Sequence, residues 1–145
     1  MPRLDRNVAI LGTGSALPER RVTNAELKSY IGGYDESSGD FSVWVDRVTH
    51  IQERRWIDAT KESAGTLGLE SSRKAIEAAG LTPKDIDHVV FCSFTVNEMF
   101  PGDPSWMIHQ LGIDGGVFMM TAACAGSLGD SSLRTDRSSS SRLGR

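Results

Sequence analysis

The sequence predicts an α/β fold with a mixed or parallel sheet covered by helices. Three short apolar runs, typical of buried strands, alternate along the chain with segments that carry helix signals. These runs are residues 8–11 (VAIL), 88–94 (HVVFCSF) and 117–120 (VFMM). Because the runs are nearly all apolar, we expect helices on both faces of the sheet.

The region after the first run predicts one short helix followed by less regular structure. Thr23–Glu26 fits a capping box, with a hydroxyl at the N-cap and a carboxylate three residues later, and predicts a helix to about Ile31. Residues 34–40 are expected to form a polar loop and residues 44–48 one or two helical turns. The charged run at 52–55 (QERR) is interpreted as a solvated loop.

The clearest helix signal covers residues 64–79. Small and apolar residues recur there at three- and four-residue spacing, and Gly80 follows as a C-terminal cap. The small side chains on this face would allow close packing against another element. Pro83 predicts a helical turn, and residues 103–104 (DP) predict the start of a further helix.

Gly12-Thr13-Gly14 follows the first apolar run and predicts a tight turn at a strand end. A dinucleotide-binding fingerprint would require a third glycine where Leu17 stands and a helix where Pro18 follows. The turn is therefore the favoured interpretation.

Composition excludes several classes of function. The chain has 145 residues and a net charge of −3, which predicts one domain without a basic field for nucleic acid. No long apolar run is present, so neither a signal peptide nor a membrane span is expected. Cys92 and Cys124 do not form a disulfide framework, and no metal site or bound cofactor is indicated. We expect a cytoplasmic protein.

The character of the chain changes after Leu128. Residues 129–145 contain six serines, four arginines and two leucines, without periodicity. Such a segment buries too little apolar surface to offset its ordering entropy. We interpret residues 1–128 as the folded part and residues 129–145 as a disordered tail outside the fold.

Cys124 lies in TAACAGS (residues 121–127), directly after the third apolar run. A helix starting near this cysteine would favour its thiolate and make it a nucleophile, but a buried, inert cysteine fits the same small residues. The three histidines, His50, His88 and His109, show no pattern that ties them to Cys124. They are expected to be structural or solvated.

Four segments together resemble a known family. They are ILGTGSALPERRVTNAEL (10–27), WVDRVTHIQERR (44–55), AIEAAGLTPKDIDHVVFCSFT (75–95) and TAACAGS (121–127). In this order they are similar to the N-terminal half of β-ketoacyl-acyl-carrier-protein synthase III, a condensing enzyme of the thiolase superfamily. The resemblance covers about residues 7–128 and implies a truncated thiolase-like fold.

The resemblance also implies a reaction. Cys124 would take an acyl group from acyl-CoA, and the acyl-enzyme would condense with decarboxylating malonyl-acyl-carrier protein in fatty acid or polyketide biosynthesis. The backbone N–H of Cys124 would form part of the oxyanion hole. The family's catalytic His and Asn come from its C-terminal half and have no counterpart between Leu128 and Arg145. The chain is therefore expected to be an inactive fragment, whose intact relatives are homodimers.

Three residues are candidates for binding the acyl donor by the same resemblance. Trp44 matches the tryptophan that stacks on the CoA adenine, and Thr49 matches the threonine of the family's Arg-Thr-Gly-Ile segment. Val48 replaces the arginine of that segment, and Arg47, one position away, is the candidate substitute. The loop at 32–41 is longer than is usual in the family.

Two alternatives remain open. The protein could be an acyltransferase of the same fold that moves the acyl group to an oxygen or nitrogen acceptor. It could also be a non-catalytic remnant that associates at most with a full-length subunit.

Overall fold

The computed structural model describes residues 9–122 and Gly126, which fall in two compact units, Met1–Gly80 and Leu81–Arg145. The described part of the first unit contains β1 (Arg20–Thr23), α1 (Asn24–Lys28), α2 (Phe41–Thr49), β2 (Glu53–Trp56) and α3 (Ala64–Ala78). The described part of the second contains β3 (His88–Cys92), α4 (Asp103–Leu111) and β4 (Gly116–Met120). Short 3-10 turns lie at Glu36–Ser38 and Pro83–Asp85.

The charged run predicted as a solvated loop is instead strand β2. It pairs antiparallel with β1, from Arg20 opposite Trp56 to Thr23 opposite Glu53. The prediction was wrong because the arginines find acceptors elsewhere in the unit. Nη1 of Arg55 donates to the carbonyl oxygen of Pro18 at 3.0 Å, so a polar side chain is accommodated without remaining in solvent.

The predicted first strand is absent from the described residues 9–18. No neighbouring strand in the described part of the chain pairs with this segment, and Ile10 is 86% exposed. The segment lies against α3 instead, where a Cβ on Gly12 would come within 2.6 Å of the backbone nitrogen of Ala79. The small-residue face predicted for α3 therefore packs closely against backbone, although not against a strand.

The predicted start of α1 is confirmed by its N-cap, whereas α2 begins at Phe41, three residues before the expected Trp44. The hydroxyl of Thr23 accepts from the backbone N–H of Glu26 at 3.2 Å and begins α1. This helix ends at Lys28, three residues before the predicted end, with Ser29 as its C-cap. Helix α2 begins at the cap of Asp40, whose carboxylate accepts from the N–H of Val43, and it is longer than the one or two turns expected.

Helix α3 matches its prediction closely. Ser63 and Thr66 form a reciprocal capping box at its start, and Gly80, at φ +66°, follows its C-cap. The core of this unit is formed by buried side chains from β1, α2 and α3, namely Val22, Phe41, Val45 and Leu69.

The second unit contains the parallel strand pair that the sequence predicts. Strands β3 and β4 run parallel, with His88 opposite Gly116 and Cys92 opposite Met120. Strand β3 ends at Cys92, two residues earlier than expected. Helix α4 packs on both strands and buries Met107 in the core.

The described residues leave part of the β3–β4 sheet surface accessible. Phe118 is 51% exposed and Met119 41% exposed on β4. Helix α4 is the only described helix with extensive contacts to these strands, and it leaves these apolar side chains accessible.

The tail predicted at residues 129–145 lies outside the described residues, as does the end of the predicted folded part at Leu128. Within residues 9–122, no helix combines the length and apolar character needed to cross a membrane.

Candidate active site

The carboxyl ends of β3 and β4 form one candidate site within the second unit. The N–H of Ser93 donates to the carbonyl oxygen of Met120 at 3.2 Å and continues the pairing one residue beyond the strands. A cavity of about 210 Å³ opens there and is lined by Cys92, Ser93, Phe94, Met120 and Ala122. Ligands of open α/β sheets bind at this end of the strands.

The predicted nucleophile, Cys124, follows the cavity-lining residue Ala122 by two positions in the sequence. It lies outside the described residues, so its role as nucleophile stays a prediction. The chain leads toward Cys124 from the carboxyl end of β4, which agrees with the predicted strand-to-helix turn as far as Ala122.

Cys92 differs from its sequence interpretation as a residue within an apolar strand. It is the last residue of β3, and its side chain is exposed. A Cβ on Gly126, which is buried and helical, would lie 2.9 Å from the Cys92 sulfur. The side chain of Cys92 therefore requires glycine at 126, a relationship that no spacing signal in the sequence could have shown.

The second candidate site is the exposed face of α2 in the first unit. Trp44 is 39% exposed, and Arg47 is exposed as well. Residues three apart on a helix are neighbours, so the two side chains share one face of α2. Arg47 makes no ion pair or hydrogen bond with another described residue, which leaves its charge available for an anion.

The structure assigns the hydroxyl of Thr49 a local role. It donates to the carbonyl oxygen of Val45 at 2.7 Å and accepts from the N–H of Ile51 at 3.1 Å. Both bonds stabilise the end of α2. The hydroxyl keeps one lone pair for a ligand, so its predicted contribution to donor binding stays a prediction.

His50 directly follows α2 and adopts the left-handed conformation, with φ 56° and ψ 20°. The resembling family has glycine at this position, for which that conformation carries no steric cost. His88 and His109 are also exposed. The expectation that the three histidines are structural or solvated agrees with this exposure.

Sequence reasoning missed a polar cluster formed by Asn24, Arg54 and the backbone of Ile51. Asn24 is buried, its amide donates to the carbonyl oxygen of Ile51 at 2.9 Å, and its carbonyl accepts from Nη2 of Arg54 at 2.8 Å. The cluster ties β2 to the start of α1 and to the chain after α2. Thr23-Asn24 was visible in the sequence only as a helix start.

Comparison with known proteins shows which proteins this chain is similar to. The chain is 38% identical over 124 residues to the β-ketoacyl-[acyl-carrier-protein] synthase III of Rhizorhabdus wittichii. It is 40% identical over 121 residues to that of Erythrobacter litoralis. The chain is a relative of β-ketoacyl-[acyl-carrier-protein] synthase III. The resemblance carried by the four sequence segments is thereby confirmed. No protein-family model matches the chain.

The match to synthase III covers most of this chain but a minority of each relative. It spans 85% and 83% of this chain, and 36% and 35% of the two relatives. The chain thus spans about a third of the length of the curated relatives it matches.

Solved structures show the same relationship. The 3-oxoacyl-[acyl-carrier-protein] synthase III of Aquifex aeolicus matches with a TM-score of 0.70 at 27% identity, over 84% of this chain and 39% of that one. The priming β-ketosynthase of the R1128 polyketide biosynthetic pathway matches with a TM-score of 0.73 at 33% identity, over 85% and 35% of the two chains. The predicted thiolase-like fold, represented in part, is confirmed.

Proposed function

We propose that this chain belongs to an acyltransferase of the synthase III type, in which Cys124 accepts an acyl group from acyl-CoA. The proposal rests on the position of Cys124 in the sequence. It follows the carboxyl end of a parallel strand pair by four residues, in a chain 38–40% identical to synthase III proteins.

The chemistry of acyl loading needs a thiolate and a stabilised oxyanion. The Cys124 thiolate attacks the thioester carbonyl carbon, the C–S bond to CoA breaks, and the CoA thiolate leaves and takes up a proton. Helix N-terminal N–H groups stabilise both the thiolate and the oxyanion. The exposed pair Trp44 and Arg47 supports donor binding, because an indole stacks on a purine and a guanidinium binds phosphate.

Condensation is the second half of the proposed reaction. Malonyl-acyl-carrier protein loses carbon dioxide, and its carbanion attacks the acyl carbonyl on Cys124 and releases the thiolate. The R1128 priming β-ketosynthase, which matches 85% of this chain and 35% of its own length, supports a carbon acceptor in either fatty acid or polyketide biosynthesis. A homodimer is proposed from the same family resemblance.

Acyl loading is tested by incubating the chain with labelled acetyl-CoA and locating the label by mass spectrometry. We expect one acyl group on Cys124, unchanged in a Cys92→Ala variant and absent in Cys124→Ala. Because Cys92 is exposed, it is the necessary control. Label on Cys92 alone, or equal label in Cys124→Ala, would overturn the proposal.

The acceptor is tested separately with malonyl-acyl-carrier protein labelled in its free carboxylate. By the family resemblance this chain has no counterpart of the catalytic His and Asn, so we expect acyl loading without carbon dioxide release above background. Release that depends on Cys124 would show that the chain itself condenses. Loss of the acyl group to an oxygen or nitrogen nucleophile without carbon dioxide release would instead identify the acyltransferase alternative.

A further inference from the structure

The long loop before α2 places a third aromatic ring beside Trp44. The ring of Tyr34 lies with its centroid 5.0 Å from that of Phe41, edge to face at 78°, and 6.0 Å from that of Trp44, tilted by 52°. Phe41 stacks on Trp44 at 6.4 Å and 28°. Phe41 is buried, so the cluster of Tyr34, Phe41 and Trp44 is anchored in the core of the unit.

The loop that carries Tyr34 has a defined local structure. The Tyr34 hydroxyl donates to the carbonyl oxygen of Gly39 at 3.2 Å, across a turn in which Gly39 has φ +96°. The carboxylate of Asp35 accepts from both the hydroxyl and the N–H of Ser37. These two donors lower the pKa of Asp35 below its usual range. The Tyr34–Gly39 bond and the turn at Asp35–Ser37 together give this loop a defined course.

A tryptophan on a helix surface has several rotamers, and only some of them present a ring face to a ligand. Aromatic neighbours at these distances favour one arrangement. Trp44 remains 39% exposed despite both contacts, so ring surface is left over for a ligand. Ordering the indole before binding removes an entropy cost that corresponds to about 3- to 10-fold in Kd.

The charges around this aromatic cluster favour one orientation of a bound nucleotide. The described side chains of the loop include Asp35 and Asp40 and no basic group, which disfavours phosphate there. Arg47 lies one turn further along α2 on the face of Trp44. The uncharged base therefore fits beside Tyr34 and Trp44, and the phosphates fit toward Arg47.

We propose that Tyr34 is a positioning residue, which holds Trp44 in the orientation that stacks on the purine ring of the CoA donor. The proposal rests on the proposed function, in which Trp44 binds that donor. It assigns a binding role to the loop that is longer than is usual in the family.

Calorimetric titration of the full chain with CoA tests the proposal. We expect Tyr34→Leu to raise Kd about 3- to 10-fold and Tyr34→Phe, which keeps the ring, to change it less than about 2-fold. Tyr30→Leu is the matched control, because Tyr30 packs on Trp56 at 4.9 Å and should leave Kd unchanged.

A spectroscopic readout separates positioning from a general loss of structure. In a background with Trp56→Phe and Trp106→Phe, Tyr34→Leu should increase acrylamide quenching of Trp44 and lower its fluorescence anisotropy. Tyr34→Phe should restore both values. If Tyr34→Leu does not fold, Tyr34→Met replaces it as a second non-aromatic variant.

The outcomes distinguish failure of the proposed donor site from failure of the proposed role of Tyr34. If the chain does not bind CoA, or if Trp44→Ala binds CoA as tightly as the unmodified chain, the donor site itself is wrong. If Trp44→Ala weakens binding and Tyr34→Leu does not, the donor site stands and the role of Tyr34 is overturned.

Discussion

Gly14 lies against the backbone of α3 so closely that a Cβ on it would come within 2.6 Å of the backbone nitrogen of Ala75. Real Cβ atoms do not approach other atoms at this distance, and helix backbone moves only at high cost. The contact explains why small residues recur on this face of α3. It also makes the Gly12-Thr13-Gly14 segment a packing element.

We predict that Gly14→Ala destabilises the protein by about 1–2 kcal/mol. A Gly→Ala change gains about 0.4–1 kcal/mol through the unfolded chain, and overpacking against backbone costs about 1–3 kcal/mol or more. Urea unfolding measures the difference. Gly32→Ala is the control, since nothing lies within 4 Å of its added methyl group. Equal stability of the two variants would contradict the packing role of Gly14.

Asn24→Ala is expected to cost about 2–4 kcal/mol. It removes the acceptor of Arg54, whose Nη1 is already buried without a hydrogen-bond partner among the described residues. Asn24→Asp keeps an acceptor for Arg54 and loses the amide that donates to the carbonyl oxygens of Ile51 and Ser42, so it should cost less. A double-mutant cycle with Arg54→Met should show coupling between residues 24 and 54, and additive effects would refute the link.

His50→Gly should stabilise the protein by about 1 kcal/mol, because the left-handed conformation costs a residue with a Cβ about 1–2 kcal/mol and glycine little. The positive φ of 56° at the end of α2 is the basis of this expectation. His50→Ala keeps the Cβ and serves as control. Thermal unfolding of the two variants decides the point, and a stabilisation by alanine equal to that by glycine would assign the effect to the imidazole.

The carboxylate of Asp85 accepts from the hydroxyl of Thr82 at 2.7 Å and from its N–H at 2.8 Å, and these bonds lower the pKa of Asp85. A lowered native pKa stabilises the fold above the unfolded value of about 3.9, and this contribution is lost as pH falls through the native pKa. Asp85→Asn should flatten the stability profile below about pH 4.

Titration of Asp85 by NMR provides the direct measurement. Thr82→Val removes the hydroxyl, the first cause of the shift, and should bring the pKa of Asp85 back toward its ordinary value. The remaining N–H bond keeps part of the shift. An unchanged pKa in Thr82→Val would show that the hydroxyl does not contribute.

The sequence by itself determined the helices whose signals come from residues close together along the chain. Helix α3 was predicted within one residue, and the starts of α1 and α4 were predicted as well, because caps and three- to four-residue spacing act within a turn or two. The ordered motifs from residue 10 to residue 127 also sufficed to recognise the relationship to synthase III.

Tertiary structure alone decided the features that join distant residues. Glu53–Trp56 forms a strand because Arg54 finds Asn24, 30 positions earlier, and a charged run carries no local sign of such a partner. The apolar segment at Ile10 forms no strand, since strands need a neighbour and its described surroundings offer helix backbone instead. The contact between the rings of Tyr34 and Trp44 also depends on tertiary structure. The path of a loop is set by the residues that it packs against, and the periodicity of the sequence does not predict that path.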